Sequence, residues 1–137
     1  MVEFYFCKCA QVKKTVDALV SVKADALLLD AHAVCCQAQF EAAYEMAKLS
    51  FETGENVSSS RENEILLYVS CQTYVKRAIE IAGAKDSEPA LIAVFGKEKK
   101  IDFSKLGIER IEMEFGGCTD AQLKEKIEKM AVSRIKN

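Results

Sequence analysis

Apolar residues recur along the chain with two different spacings, and each spacing predicts a different backbone element. Alternating or unbroken apolar runs predict strands, because the side chains of a strand point to its two faces in turn and an interior strand is covered on both. Such runs occupy residues 2–9, 26–30, 90–95 and 110–115. Apolar residues three and four apart predict helices. These segments are residues 11–20, 37–51, 61–69, 71–82 and the end of the chain after Thr119 or Asp120, where the apolar stripe runs to Ile135.

The order of these elements predicts an α/β fold. A strand, a helix and a second strand precede three consecutive helices, and a turn at residues 96–100 and a short helical turn at 101–106 separate the last two strands. We predict a mixed sheet of about four strands packed with helices, plus a helical layer from the central helices, because three helices exceed one crossover connection. A length of 137 residues predicts one domain over residues 1–137.

Composition narrows the classes of function. The net charge is −2, which argues against a strongly basic nucleic-acid-binding protein but leaves room for a local basic patch. No apolar run approaches the ~20 residues of a membrane span, and the amino-terminal residues do not have the pattern of a secretory signal. We therefore expect no membrane contact and a cytoplasmic location.

The six cysteines favour neither a zinc site nor a disulfide framework. They include no C-x-x-C pair, and the chain has a single histidine, so the usual spacing of zinc ligands is missing. We expect reduced thiols, with a disulfide as the minor alternative, and neither a metal nor a cofactor. The glycines form neither a G-x-x-x-x-G-K nor a G-x-G-x-x-G motif, so the chain alone is not expected to bind a nucleotide.

Capping residues divide the centre of the chain into two helices in series. Ser60 is placed to cap the first helix, in whose first turn Glu64 lies, where a carboxylate suits the helix dipole. Ser70 interrupts the apolar stripe, and its hydroxyl is predicted to cap the second helix by accepting from a backbone N–H of Gln72 or Thr73. The second helix is expected to end at Gly83 in a left-handed C-cap.

This central region resembles the signature of a known family. The segment EILLYVS at residues 64–70, Gln72, and the segment AIEIAGAKD at residues 78–86 resemble the small kinase-binding, transfer-RNA-binding accessory subunit of the KEOPS (EKC) complex. A weaker resemblance extends over most of the chain. Two positions depart from the pattern. Cys71 stands where the family usually has Gly, and Tyr74 stands where Gln is common.

The resemblance implies a non-catalytic function. Subunits of this family bind the small atypical kinase, an ATPase, of KEOPS and hold the single-stranded 3′ CCA end of tRNA. The catalytic threonylcarbamoyltransferase subunit then modifies an adenosine beside the anticodon to threonylcarbamoyladenosine (t6A). The partners implied are therefore the kinase, the tRNA and, indirectly, the transferase.

A flexible nucleotide end is held by aromatic stacking together with cationic and amide groups. A break between two helices also exposes backbone N–H groups that favour a phosphate. We therefore predict that the tRNA end contacts the residues around the break, namely Arg61, Ser70, Gln72, Thr73, Tyr74, Lys76 and Arg77. The alternative is an ordinary solvated helix face on which Lys76 pairs with Glu80.

The kinase contact is expected to be an exposed apolar patch with polar borders. The candidates are apolar residues of the central helices beyond those that one buried face needs, namely Tyr44, Met46, Tyr68 and Ile81. The alternative is that all four belong to the core. Two other functions stay open: a small cysteine-dependent enzyme that pairs His32 with a thiol such as Cys35, Cys36 or Cys71, and a protein scaffold without RNA contact.

Overall fold

The computed structural model describes residues 2–96 and 101–134, so the end of the predicted turn at 96–100 and Ile135 lie outside the described residues. The predicted order of elements and the α/β class are confirmed. Within the described residues there are four strands, five α-helices and two 3₁₀ turns. They are β1 (Glu3–Cys9), α1 (Val12–Ser21), β2 (Ala26–Asp30), a 3₁₀ turn (Ala31–Ala33), α2 (Gln37–Thr53), α3 (Arg61–Ser70), α4 (Val75–Ala82), β3 (Pro89–Val94), a 3₁₀ turn (Phe103–Lys105), β4 (Ile108–Arg110) and α5 (Asp120–Val132).

The sheet is antiparallel, so the prediction of a mixed sheet is wrong. In the described chain its strand order is β2-β3-β1-β4, and each neighbouring pair runs in opposite directions. Leu91 of β3 lies opposite both Phe6 of β1 and Leu29 of β2. The unbroken apolar run of β3 therefore reflects a central position with cover on both faces, and it carries no information on strand direction.

The prediction of a strand over residues 110–115 is wrong, because β4 spans Ile108–Arg110 and shares only Arg110 with that range. β4 ends at Arg110, and residues 111–119 form neither helix nor strand. Ile111 N–H makes one more bond to the Phe6 carbonyl (3.1 Å), after which the chain leaves the ladder. Met113 is half-buried and Glu114 is exposed, so the alternation of burial continues without strand pairing.

The chain divides into two compact units. One contains the described residues of 1–31 and 84–114 and holds the sheet with α1. Its core includes Cys7, Leu19 and Ile92. The other contains the described residues of 32–83 and 115–137 and holds α2 to α5. The assignment of residues 1–137 to one domain stays a prediction.

The helical unit buries apolar residues from several helices, including Phe40 of α2, Leu67 of α3 and Met130 of α5. Thr119 caps the start of α5 in a reciprocal capping box. The Thr119 hydroxyl accepts from the backbone N–H of Gln122, and the Gln122 side chain accepts from the backbone N–H of Thr119. No helix within residues 2–96 and 101–134 has both the length and the apolar character to cross a membrane.

Gly83 ends α4 in an extended conformation (φ −70°, ψ 149°), so the prediction of a left-handed C-cap is wrong. Glycine is needed here for its size. A Cβ at this position would lie 2.5 Å from the Ile79 carbonyl oxygen, well inside van der Waals contact. The glycine therefore correctly predicts the end of the helix, although its conformation is extended and not left-handed.

Candidate functional site

The helical unit contains the predicted break between two helices. Helix α3 ends in a Schellman motif, with Cys71 N–H bonded to the Tyr68 carbonyl (3.2 Å) and Gln72 N–H to the Leu67 carbonyl (3.0 Å). Cys71 has φ 57° and ψ 34°, which is the left-handed region that glycine usually occupies. We call residues 70–77 the α3–α4 junction. The break itself is confirmed, but the connection spans residues 71–74 and not one residue.

Ser70 does not cap α4, so that part of the prediction is wrong. Its hydroxyl donates to the Leu67 carbonyl (3.2 Å) within the last turn of α3. A serine inside a helix commonly bonds back to a carbonyl of the preceding turn, and here the left-handed residue directs the following amides away from it. Tyr74 is the residue before α4, and its side chain makes no capping hydrogen bond. The N–H groups of the first turn of α4 are therefore available to an anion.

The polar side chains of the junction differ in exposure. Thr73, Lys76 and Arg77 are exposed, and Tyr74 is 76% exposed with its ring open to solvent. Gln72 is half-buried. The junction thus combines an exposed aromatic ring, two cations and free amide groups, which is the set that a single-stranded nucleotide end needs.

Arg77 also makes an ion pair on the surface of α4. Its Nη1 lies 3.0 Å from Glu80 Oε2, and both side chains are about half exposed. The solvated-face alternative predicted a pair between Lys76 and Glu80, whereas the structure pairs Glu80 with the neighbouring arginine. An exposed pair of this kind contributes only about 0–1 kcal/mol, so a phosphate can compete for Arg77.

Arg61 lies at the opposite end of α3 from Ser70. It is the first residue of α3, and Ser70 is the last. A rise of 1.5 Å per residue separates the two by roughly 14 Å along the helix axis. That Arg61 flanks the same surface as Lys76 and Arg77 stays a prediction.

Two lysines of α5 act electrostatically on Cys71 in the α3–α4 junction. Burial raises the pKa of the half-buried Cys71 thiol, and the positive charges of Lys129 and Lys126 partly oppose that increase. Both lysines are therefore close enough to the junction for their charges to act on it. Sequence reasoning missed them because they lie 55 and 58 residues after Cys71, on what reads as the ordinary polar face of a last helix.

The four residues predicted for the kinase contact separate into two groups. Tyr44 and Met46 of α2 are half-buried, and Ile81 of α4 is 41% exposed. Tyr68 is only 6% exposed, its hydroxyl shares a hydrogen bond with Ser50, and the prediction that it is a surface contact is wrong. The reason is that residues 64–69 of α3 are all buried, so this part of the helix presents no apolar side chain to solvent.

Glu64 is the first residue of the family-like segment, and its part is structural. The side chain is fully buried. Its Oε1 accepts from the backbone N–H groups of Val57 (3.1 Å) and Ser58 (3.0 Å), and its Oε2 lies 2.9 Å from Arg134 Nη2. The Arg134 guanidinium also lies over the Tyr68 ring, 4.4 Å from its centroid. One carboxylate thus connects α3 to the preceding loop and to the residues after α5.

Three of the six cysteines meet at a second place in the helical unit. Sγ of Cys35 lies 2.7 Å from Sγ of Cys118 and 4.0 Å from Sγ of Cys36, and the Cys36–Cys118 distance is 3.5 Å. We call this group the thiol cluster. Contact with Cys35, burial, and contact with Cys36 raise the pKa of Cys118 to about 12. Three sulfur atoms at this spacing are the one group among the described residues that has the ligand spacing of a metal site.

Comparison with known proteins identifies the family. None of the curated proteins with which the chain was compared matches it. The sequence profile of one family matches residues 6–136, which is almost the whole chain, and the description of that family is kinase binding protein CGI-121. This agrees with the resemblance seen around the α3–α4 junction, and the predicted family is confirmed. The chain therefore belongs to the CGI-121 family of kinase-binding proteins.

Proposed function

We propose that this protein is a non-catalytic adaptor of the cytoplasmic KEOPS complex, which binds the kinase/ATPase subunit and the 3′ CCA end of tRNA. In this function it presents tRNA to the transferase subunit for formation of threonylcarbamoyladenosine. Kinase binding is supported by the description of the family to which the chain belongs. RNA binding is supported by the α3–α4 junction.

One observation carries the RNA part of the proposal. The Tyr74 side chain makes no capping bond to the first turn of α4, in which Lys76 and Arg77 lie. Lys126 and Lys129 of α5 add positive charge that acts on the neighbouring Cys71. This concentration of positive charge occurs in a chain whose net charge is −2. A phosphate beside a helix N-terminus gains from both the free amides and the nearby cations.

Tyr74 supplies the aromatic part of the proposed contact. Its ring is 76% exposed and directly precedes the first turn of α4, so a base stacked on it has its phosphate close to the free amides. Stacking of a base on an aromatic ring contributes about 1–3 kcal/mol. Tyrosine at this position is therefore compatible with RNA binding although the family commonly has glutamine there.

The thiols do not favour the alternative of a cysteine-dependent enzyme. The reactive form of cysteine is the thiolate. The pKa of Cys71 is raised by burial and that of Cys118 is raised to about 12 by contact with Cys35, so both side chains are protonated near pH 7. This disfavours Cys71 and Cys118 as nucleophiles.

The RNA proposal is tested with a double charge reversal, Lys76→Glu with Arg77→Glu, measured by fluorescence anisotropy against labelled tRNA. We expect affinity to fall at least about tenfold, equivalent to ~1.4 kcal/mol. Lys13→Glu with Lys14→Glu is the matched control, because it makes the same change of charge on exposed residues of α1 in the other unit. Equal losses in both variants would show only a nonspecific effect of net charge and would contradict the proposal.

The same assay with tRNA lacking its CCA end tests the specificity. We expect weaker binding on trimming for the native protein, and no further effect of trimming on the reversed variant. With few phosphate contacts, log K should fall with log[salt] with a slope of about −2 to −4. Equal affinity for intact and trimmed tRNA would contradict recognition of the 3′ end.

The kinase contact is tested by co-purification with the kinase subunit. Ile81→Glu and Met46→Glu place a charge on the two candidate surfaces of α4 and α2, and a dry interface centre does not tolerate an unpaired charge. Val20→Glu on α1 is the control, because Val20 is a large apolar residue that is even more exposed. A complex indifferent to both test variants would exclude these surfaces.

A scaffold without RNA contact is the second candidate, and one observation favours it. Helix α4 exposes Ile79 and Ile81 on either side of its buried alanines, which suits a protein contact as well as an RNA contact. Retained kinase binding without any measurable affinity for tRNA would establish this second function in place of the first.

A further inference from the structure

We propose that the thiol cluster of Cys35, Cys36 and Cys118 binds one zinc ion through three thiolates, with the fourth position held by water or an exogenous ligand. This site is separate from the α3–α4 junction and does not depend on the proposed RNA function. It also departs from the expectation, drawn from sequence spacing, that the chain binds no metal.

The distances between the sulfur atoms fit such a site after a small adjustment. Zinc–sulfur bonds of about 2.3 Å at tetrahedral angles place the sulfurs about 3.8 Å apart. The Cys36–Cys118 and Cys35–Cys36 distances, 3.5 and 4.0 Å, lie on either side of that value. The Cys35–Cys118 distance of 2.7 Å must widen by about 1 Å, which a rotation of one side chain provides.

The backbone that carries the thiols is held in place by a buried amide. Gln39 is 3% exposed, its Oε1 accepts from Cys35 N–H (2.8 Å), and its Nε2 donates to the Ala33 carbonyl (3.2 Å). From the segment that carries Cys118, Gly117 N–H donates to the Cys35 carbonyl (2.7 Å). Two segments that are about 80 residues apart in sequence are therefore joined directly beside the sulfur atoms.

The position at the start of α2 suits the negative charge of a thiolate site. Cys36 is the residue before the 17-residue helix α2, and its own side chain makes no capping bond there. The first turn of α2 contains no acidic residue, so the positive end of the helix dipole acts on the cluster without a competing carboxylate. Helix N-termini stabilise thiolates in the same way.

Zinc uses all three thiols, which a disulfide does not. A Cys35–Cys118 disulfide would need an oxidant and would leave the Cys36 thiol beside it without a function. On binding, the three S–H groups release their protons to the solvent and Zn²⁺ accepts three thiolates, so no electron is transferred. Thiolate ligands also select soft metals such as zinc over magnesium or calcium.

The test uses the full-length, reduced and metal-free protein under anaerobic conditions. Titration with Co²⁺, a spectroscopic substitute for zinc, should produce a thiolate-to-cobalt charge-transfer band that saturates at one ion per chain and disappears when Zn²⁺ is added. Cys35→Ser, Cys36→Ser and Cys118→Ser should each weaken cobalt binding by at least about tenfold. A loss of about tenfold is already typical when a residue that only hydrogen-bonds to a metal ligand is replaced. Cys71→Ser is the matched control and should bind as the native protein does.

A second measurement does not depend on whether the variants fold. Zinc should protect Cys35, Cys36 and Cys118 of the native protein from alkylation, as mapped by peptide mass spectrometry, and leave Cys71 reactive. The absence of a charge-transfer band, or a band that survives in all three cluster variants, would overturn the proposal. A Cys35–Cys118 disulfide in the purified protein that takes up no metal after reduction would also overturn it.

Discussion

The buried ion pair between Arg134 and Glu64 provides the sharpest test of how the helical unit is held together. The side chain of Glu64 is fully buried and that of Arg134 is 13% exposed. Replacing Arg134 by Met keeps much of the aliphatic volume and removes the charge. Loss of one partner of a buried pair costs roughly 3–5 kcal/mol, because the other charge stays buried without compensation.

The structure places the expected cost of Arg134→Met at the lower end of that range. Glu64 Oε1 keeps its two backbone donors, Val57 and Ser58, after the substitution. Loss of the guanidinium above the Tyr68 ring adds to the cost by about 0.5–1 kcal/mol. We therefore expect the free energy of unfolding to fall by about 3–4 kcal/mol, measured from the midpoint of urea unfolding at unchanged m value.

Two further variants show whether the cost comes from the pair. Glu64→Gln in the Arg134→Met background removes the uncompensated charge but keeps an oxygen for the two N–H donors, so the double variant should be at least ~1 kcal/mol more stable than the single one. Arg77→Met is the control, because its pair with Glu80 is exposed and should contribute at most ~1 kcal/mol. Equal losses of stability in Arg134→Met and Arg77→Met would show that the buried pair contributes no more than an exposed one, and would contradict this prediction.

Three other predictions follow from the backbone and from the buried thiols. Cys71→Gly relieves a left-handed conformation that costs an L residue about 1–2 kcal/mol, against ~0.5–1 kcal/mol of added unfolded-state entropy. The free energy of unfolding should therefore rise by between zero and ~1.5 kcal/mol. A clear loss of stability would contradict this. Gly83→Ala forces a Cβ against the Ile79 carbonyl and should destabilise by about 1–3 kcal/mol, whereas Gly116→Ala, where nothing lies within 4 Å, should be nearly neutral. The two cysteines of β1 are fully buried and should resist a thiol reagent until unfolding, while Cys71 should react, at higher pH than an exposed thiol because burial raises its pKa. Reaction of all six cysteines with the reagent at the same rate would contradict this prediction.

Local pattern was sufficient to predict most of the elements, because the information lies in neighbouring residues. The spacing of apolar residues located β3, α2 and α5, and the Ser60 cap of α3 is present as expected, with its hydroxyl accepting from Asn63 N–H. Strand direction could not be obtained in this way, since it depends on which distant strand pairs with β3. The antiparallel order is a property of the chain path that apolar runs do not record.

The functional regions depend even more on distant partners. Glu64 reads as a first-turn carboxylate, but its burial is explained by Arg134, which is 70 residues further along the chain. The thiol cluster joins Cys35 to Cys118 across a similar separation. At position 71, where the resemblance leads us to expect glycine, the left-handed backbone of Cys71 gives a reason within the chain itself for that preference.

The short last strand has a consequence for self-association. β4 is an edge of the sheet, contains three residues, and exposes the charged pair Glu109 and Arg110. A second copy that tried to extend the sheet at this side would find few free backbone groups to pair with and charged side chains beside them. The protein therefore carries protection against edge-to-edge aggregation at the end of the sheet where a longer, regular strand would have been a template for it.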